Sequence, residues 1–222
     1  MKNHTWKIVG VIAILLLVGS FVYSNDAANK ANEGITFSEH VKGNPEAEVV
    51  LAKYSDFQCP ACAQAAPIVD DILSQYGEQL RFEYNHFPLI TIHPAAVPAA
   101  RAAEAAGQQG KFFAMHDKIF ENQSVWSNAA SPNVYFEQYA EEIGLDMTLY
   151  KRHLNASVID DKIMADFRTA QGLGFTGTPT FTLNGERIQF ASYNDLIGLI
   201  EAAIGIESEG PTTAESEVEF GI

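Results

Sequence analysis

The sequence predicts an α/β domain built from a parallel β-α-β unit, a long helical insertion and a closing β-hairpin, and three observations carry that prediction. An apolar, β-prone run of Val49, Val50, Leu51, Ala52, Tyr54 and Phe57 feeds a helical pattern of Pro67, Ile68, Val69, Ile72 and Leu73. The stretch 80–87 then alternates apolar and polar residues as a half-buried strand does. Far downstream, Asn184-Gly185 separates two more strand-like runs, and both residues tolerate the positive φ that a two-residue hairpin turn requires.

Taken in order, the chain opens on a segment of another kind. Lys2 and Lys7 flank a short polar start, and Ile8 to Tyr23 then run apolar for 16 residues. That is longer than the core of about 7 to 15 residues in an export signal and just short of the spanning range of about 17 to 25. The small-residue cleavage pattern is matched poorly by Val22-Tyr23-Ser24 and by Asn29-Lys30-Ala31, which favours an uncleaved, single-pass anchor over residues 1–24. Basic residues ahead of the span place the N-terminus in the cytoplasm and the rest of the chain on the extracytoplasmic side of the cell membrane. No cysteine adjoins the apolar run, so a lipid-modified cysteine is not the anchor. Residues 25–35 are small and polar and read as a linker, with the domain expected over 36–206.

Within the domain, the strand starting at Val49 leads to a helix from Cys62 to Tyr76, stopped by Gly77, and then to the strand Leu80 to Phe87. About 85 residues of helical character follow. Pro94 to Ala106 is alanine-rich; Phe112, Met115, Ile119 and Phe120 recur at helical spacing; so do Tyr135, Phe136, Tyr139 and Ile143, and again Val158, Ile159, Ile163, Phe167 and Ala170. The insertion spans about 94–172, and its apolar stripes read as core. The hairpin strands Thr180 to Asn184 and Arg187 to Phe190 close the sheet, Tyr193 to Ile204 forms a terminal amphipathic helix, and the glutamate-rich 207–222 reads as a disordered tail.

The chemistry is concentrated in Cys59-Pro60-Ala61-Cys62, the only two cysteines in 222 residues. Chance would give that spacing about one time in a hundred. The pair stands where a strand meets a helix, and the first turn of a helix offers unpartnered N–H groups and a partial positive charge. A thiolate at Cys59 is stabilised there, with its pKa expected to fall from about 8.5 into the range of about 3.5 to 7.5. Pro60 sits where a missing N–H costs nothing. Cys62, one turn on, is expected to be more buried and to act second. A disulfide between them opens and closes by thiolate attack through a mixed disulfide, which makes the pair a two-electron redox centre. An inert disulfide is the weaker reading, because so short a loop removes little unfolded-chain entropy. A zinc site would need two further ligands, and no second cysteine pair or His-x3-5-His supplies them, so no metal is expected.

Phe57-x-Cys59-Pro60-x-Cys62 after a strand, followed more than a hundred residues later by Thr176-Gly177-Thr178-Pro179-Thr180, resembles the thioredoxin-fold disulfide oxidoreductases of the DsbA type. His40-Val41-Lys42-Gly43-Asn44-Pro45 and the segment from Phe87-Pro88-Leu89 to Gln123, with His93-Pro94 and Gly110-Lys111-Phe112-Phe113, resemble the membrane-tethered bacterial branch of that family. The resemblance covers about residues 36 to 205 and implies a thioredoxin fold, a mixed sheet flanked by helices, with an inserted helical subdomain. It makes Pro179 the cis-proline packed against the redox pair, leaving the backbone of Thr178 free to pair with an extended substrate. It implies no cofactor beyond the Cys59–Cys62 disulfide. Its partners would be folding exported proteins with free thiols and a membrane redox partner that recharges the pair.

Two positions tune the expectation. Relatives commonly carry an acid six places before the first cysteine, where this chain has Lys53. Beneath the pair, that cation would favour the thiolate and make the disulfide more oxidising; pointing to solvent, it would do nothing. No histidine occupies Pro60-Ala61, where strongly oxidising members often have one. Asp56 matches the family pattern and also fits a surface or strand-end residue, while His86, His93 and His116 read as core or capping residues.

A net charge of −14 argues against nucleic acid and against adhesion to anionic lipid, both of which call for a basic patch. Three readings of the site remain. A disulfide oxidoreductase fits best, oxidising in an exported location or reducing and isomerising with another redox partner. A soft-metal protein that binds Cu(I) would want a third soft ligand, and no methionine flanks the pair. A binding module with a lapsed redox centre would have lost a cysteine, and both are present.

Overall fold

The computed structural model describes residues 2–206, and the expected acidic tail lies outside them. Five strands form one mixed sheet in the order β1-β3-β2-β4-β5. Its centre is β2 (Val49–Ser55), which pairs in parallel with β3 (Leu80–His86) and antiparallel with β4 (Thr180–Leu183). Helix α2 (Pro60–Tyr76) is the crossover between β2 and β3, which completes the expected β-α-β unit. β4 and β5 (Glu186–Ile188) form the hairpin, and Asn184 and Gly185 turn it with φ of 52° and 83°. The far edge is β1 (His40–Gly43), antiparallel to β3. At four residues it is too short to register as a strand pattern in the sequence.

Alternation decides what faces the core. On β3, Leu80, Phe82, Tyr84 and His86 are buried while the residues between them are half-buried. On β2, Leu51, Lys53 and Ser55 share one face, and Lys53 reaches from it to α2.

Between β3 and β4 come six helices: α3 (Ala96–Gly107), α4 (Phe112–Glu121), α5 (Gln123–Trp126), α6 (Asn133–Glu142), α7 (Met147–Leu154) and α8 (Ser157–Gly172). Alanines 99, 100, 102, 103, 105 and 106 make α3 thin, and it packs against α4, α6, α7 and α8 with those residues buried. Helices α5 and α7 carry too few apolar repeats to be seen in sequence; Asp146 caps α7 by accepting from the N–H groups of Thr148 and Leu149. The terminal helix α9 (Tyr193–Ile204) starts on a capping box between Ser192 and Asp195 and stops at left-handed Gly205.

At the N-terminus, α1 runs Lys2–Asn32 and contains one stretch, Val9–Asn32, long and apolar enough to cross a membrane. Most of the expected linker over 25–35 is therefore helical. The polar residues continue the helix to Asn32, assisted by the Asp26–Lys30 pair one turn apart. Asn32 then fastens to the start of α8, donating to Ser157 Oγ at 3.2 Å and accepting from the Val158 N–H at 3.4 Å.

Candidate active site

Cys59 stands immediately before α2 with an extended backbone (φ −72°, ψ 122°), and Pro60 begins the helix. The N–H groups of Cys62 and Ala63 turn back onto the Cys59 carbonyl at 3.1 and 3.2 Å. Both thiols are free. Cys59 keeps 7% of its surface exposed and Cys62 none, so an incoming thiol meets Cys59 first. Pro60 is exposed and Ala61 half-buried beside it.

The two sulfurs are electrostatically unlike. The hydrogen bond from Cys62 does most to bring the Cys59 thiol down to about 5; burial opposes it, and Thr178 and the helix-start backbone at Cys62 and Ala61 add to it. Burial pushes the Cys62 thiol up, its bond to Cys59 adds to that, and the charge of Lys53 opposes it. A stable thiolate at Cys59 makes it the better leaving group, and the buried Cys62 is the one that must take up a proton.

Lys53 takes the inward of its two possible orientations. It is 1% exposed, donates to the Cys62 carbonyl at 3.1 Å and lies 5.0 Å from the centre of the Phe120 ring. Burial pushes its amine down to about 8, opposed by the nearby cysteines, so it remains mostly charged at neutral pH.

Asp56 is buried, which settles it as an interior residue. Its Oδ1 accepts from the Gln58 N–H at 2.7 Å and its Oδ2 from the Leu89 N–H at 2.7 Å, and His93 Nδ1 lies 2.7 Å from the same Oδ2. Its own N–H points at Cys62 Sγ, 3.5 Å away. Two glutamines to which the sequence assigns no role complete the frame. Gln123 donates to the carbonyls of Phe57 and Cys59 at 2.7 and 2.9 Å, and Gln58 donates to Ser127 and accepts from the Ala95 N–H. Gln58 lies between Phe57 and Cys59 and was open to notice; Gln123 is 64 residues from Cys59 and has no local signal.

The Thr178–Pro179 peptide is cis, and the Thr178 carbonyl lies 3.3 Å from Cys59 Sγ. A groove of about 490 Å³ adjoins it, walled by Ala61, Ala65 and Ile68 of α2 and by Thr178, Pro179 and Phe181. The structure thus gathers Cys59, Pro60, Ala61, Cys62, Lys53, Thr178 and Pro179 at one end of the sheet. Of the histidines, His86, His116 and His153 are buried, and burial pushes His116 down to about 4.

Residues 36–202 match the family model described as Thioredoxin. Among solved structures, the thioredoxin-like oxidoreductase from Silicibacter pomeroyi DSS-3 is 28% identical, with a TM-score of 0.65 over 76% of this chain and 94% of that one. BdbD from Bacillus subtilis in its oxidised form shares the fold at 21% identity, with a TM-score of 0.66 over 75% of this chain and 93% of its own. Curated relatives include Na(+)/H(+) antiporter NhaA 1 of Salinispora arenicola, 39% identical over 75% of this chain and 24% of that protein, and its namesake in Mycobacterium sp. (strain KMS), 35% identical over 67% and 24%. The chain therefore spans about a quarter of the length of the curated relatives it matches. Because the family match runs from before β1 into α9 and the solved relatives superpose over nearly their whole lengths, the chain belongs to the thioredoxin family and has its DsbA-like fold.

Proposed function

We propose that this chain is a membrane-tethered thiol–disulfide oxidoreductase that donates the Cys59–Cys62 disulfide to exported proteins while they fold. The observation that carries the reading is the asymmetry of the pair: a reachable Cys59 whose thiolate is stabilised, and a buried Cys62 whose thiolate is not. A substrate thiolate attacks Cys59 Sγ, the Cys59–Cys62 bond breaks, and Cys62 leaves and takes up a proton. A second substrate thiolate attacks the substrate sulfur of the mixed disulfide, and Cys59 leaves as a thiolate. The substrate loses two electrons to the pair, and a membrane redox partner removes them.

Stabilising the Cys59 thiolate stabilises the reduced form, which raises the potential and favours oxidation of substrates. The Lys53 cation beneath the pair acts in the same sense. Thr178 and Pro179 line the substrate site: Pro179 has no N–H, and the Thr178 backbone borders the groove that receives an extended chain. No cofactor beyond the cysteine pair enters this scheme. Helix α1 serves as a single-pass anchor, with the basic residues Lys2 and Lys7 on the cytoplasmic side and the domain outside. The antiporter names belong to proteins of which the shared segment is 24%, and we assign no ion transport to this chain from them.

The test is the equilibrium reduction potential of the pair against glutathione buffers. A value above about −180 mV supports disulfide donation; one near or below about −250 mV reverses the direction, to a reductase or isomerase using the same residues.

A further inference from the structure

We propose that His40, His86 and Glu104 form a binding site for a first-row divalent cation such as zinc, which fastens the helical insertion to the sheet. The three residues come from three elements: His40 from β1, His86 from the end of β3 and Glu104 from α3. Glu104 Oε1 lies 2.7 Å from His40 Nε2 and 2.9 Å from His86 Nε2, and the three potential ligand atoms all fall within 4.8 Å of one another. Two imidazoles and a carboxylate suit zinc, whose bonds of about 2.0 to 2.2 Å put tetrahedral ligand atoms about 3.3 Å apart. Admitting the ion asks each Glu104–His pair to open by about 0.4 to 0.6 Å and the two imidazole nitrogens, which lie within 4.8 Å of each other, to settle at the same spacing.

A second observation points to a ligand independently. Glu104 is fully buried, and its other oxygen, Oε2, has no hydrogen-bond partner. Nearly all buried carboxylate oxygens find one. A cation held by both carboxylate oxygens would satisfy Oε2 as well as Oε1 and offset the negative charge of a carboxylate deep in the core. An entry path exists as well: an open cavity of about 230 Å³ lies against the cluster, with Thr36, His40, Glu104 and Phe112 in its walls. It leaves a fourth coordination position for water.

Two of the side chains are shifted in charge preference, and both imidazoles are held in orientation. Burial pushes the His40 imidazole down, against the pull of Glu104. Burial also opposes ionisation of Glu104, but the bonds to His40 and His86 outweigh it and hold the carboxyl well below the usual range. Neutral imidazole and ionised carboxylate are the ligand forms. The His40 ring stacks on Phe112 with centroids 3.4 Å apart, and His86 meets the same ring edge-on at 5.9 Å. On binding, each imidazole presents its Nε2 lone pair with its proton on Nδ1; no electron is transferred. The redox cysteines play no part.

The experiment uses the full chain in detergent with Cys59 and Cys62 oxidised to the disulfide, so that the thiols cannot bind metal. After stripping with a chelator, zinc is titrated in competition with a chromophoric chelator. The expected result is one equivalent bound with Kd of about 1 µM or tighter. His40→Gln and Glu104→Gln should weaken it at least about tenfold, and His153→Gln, outside the cluster, should not. Cobalt in the wild-type protein should give tetrahedral d–d absorption without a thiolate charge-transfer band, a readout that does not depend on any variant folding. Absence of that absorption and of stoichiometric zinc binding in the wild type would overturn the proposal and leave a metal-free ion cluster. Unchanged affinity in a folded Glu104→Gln variant would overturn it too.

Discussion

At the scale of single residues, the proposed redox site rests on one sulfur made acidic and one kept dry. Cys59→Ser should abolish turnover, whereas Cys62→Ser should accumulate mixed disulfides with substrate, visible on non-reducing gels; full turnover by Cys62→Ser would refute the two-cysteine scheme. The folded pKa of Cys59 is depressed relative to the unfolded chain, so its contribution to the stability of the reduced form is present at high pH and is lost as pH falls through about 5. The reduction potential should accordingly change by about 30 mV per pH unit above that point, where one proton accompanies two electrons, and by about 60 mV below it. A potential–pH plot without a break near pH 5 would contradict the stabilised thiolate. Lys53→Met should lower the potential by about 30 mV or more, because the reduced pair loses a neighbouring cation. It should leave the melting temperature unchanged or raised, since a buried ammonium gives way to an apolar chain of similar volume. A fall in Tm with no change in potential would make Lys53 a packing residue.

At the scale of elements, the insertion and the thioredoxin core meet at the cysteines. Gln123 in α5 holds the carbonyls of Phe57 and Cys59, so Gln123→Ala should cost about 1 to 3 kcal/mol in denaturant unfolding, as two carbonyls lose their donor. The alanine stripe of α3 allows four helices to close around it, and Ala102→Leu, at a fully buried position, should destabilise by about 1 to 3 kcal/mol through overpacking. Elements with strong periodicity were legible in the sequence: β2, β3, the Asn184-Gly185 hairpin and the longer helices all lie within a few residues of where the pattern put them. Those that depend on distant partners were not. β1 is a strand because its residues find β3, and α7 is held by an aspartate cap and by burial of Tyr150, which no local pattern announces. The same division runs through the site. Spacing revealed Cys59 and Cys62, and the proline motif revealed Thr178 and Pro179, but the direction of Lys53, the depth of Asp56 and the reach of Gln123 are tertiary facts.

For the whole molecule, the proposed anchor would divide the chain between membrane and water. The full chain should remain with membranes through high salt and alkaline carbonate, and a membrane-impermeant maleimide applied from outside should label reduced Cys59 in intact cells. Release by carbonate would show that α1 is not an anchor. Labelling only after the cells are broken would place the domain on the cytoplasmic side.

With α1 as the proposed anchor, the junction of α1 with α8 would set the reach of the cysteine pair. From Ser24 to Asn32 the helix continues for nine residues beyond the apolar run, about 13 Å of rise, and its last residue is bonded to Ser157 and Val158. A flexible leash would let the cysteines sweep a hemisphere; a stalk bolted at its upper end holds them at one altitude. Under the proposed function, substrates would then have to present their thiols at that altitude. Replacing the Ser24–Asn32 stalk by glycine and serine would turn a fixed workbench into a roving one.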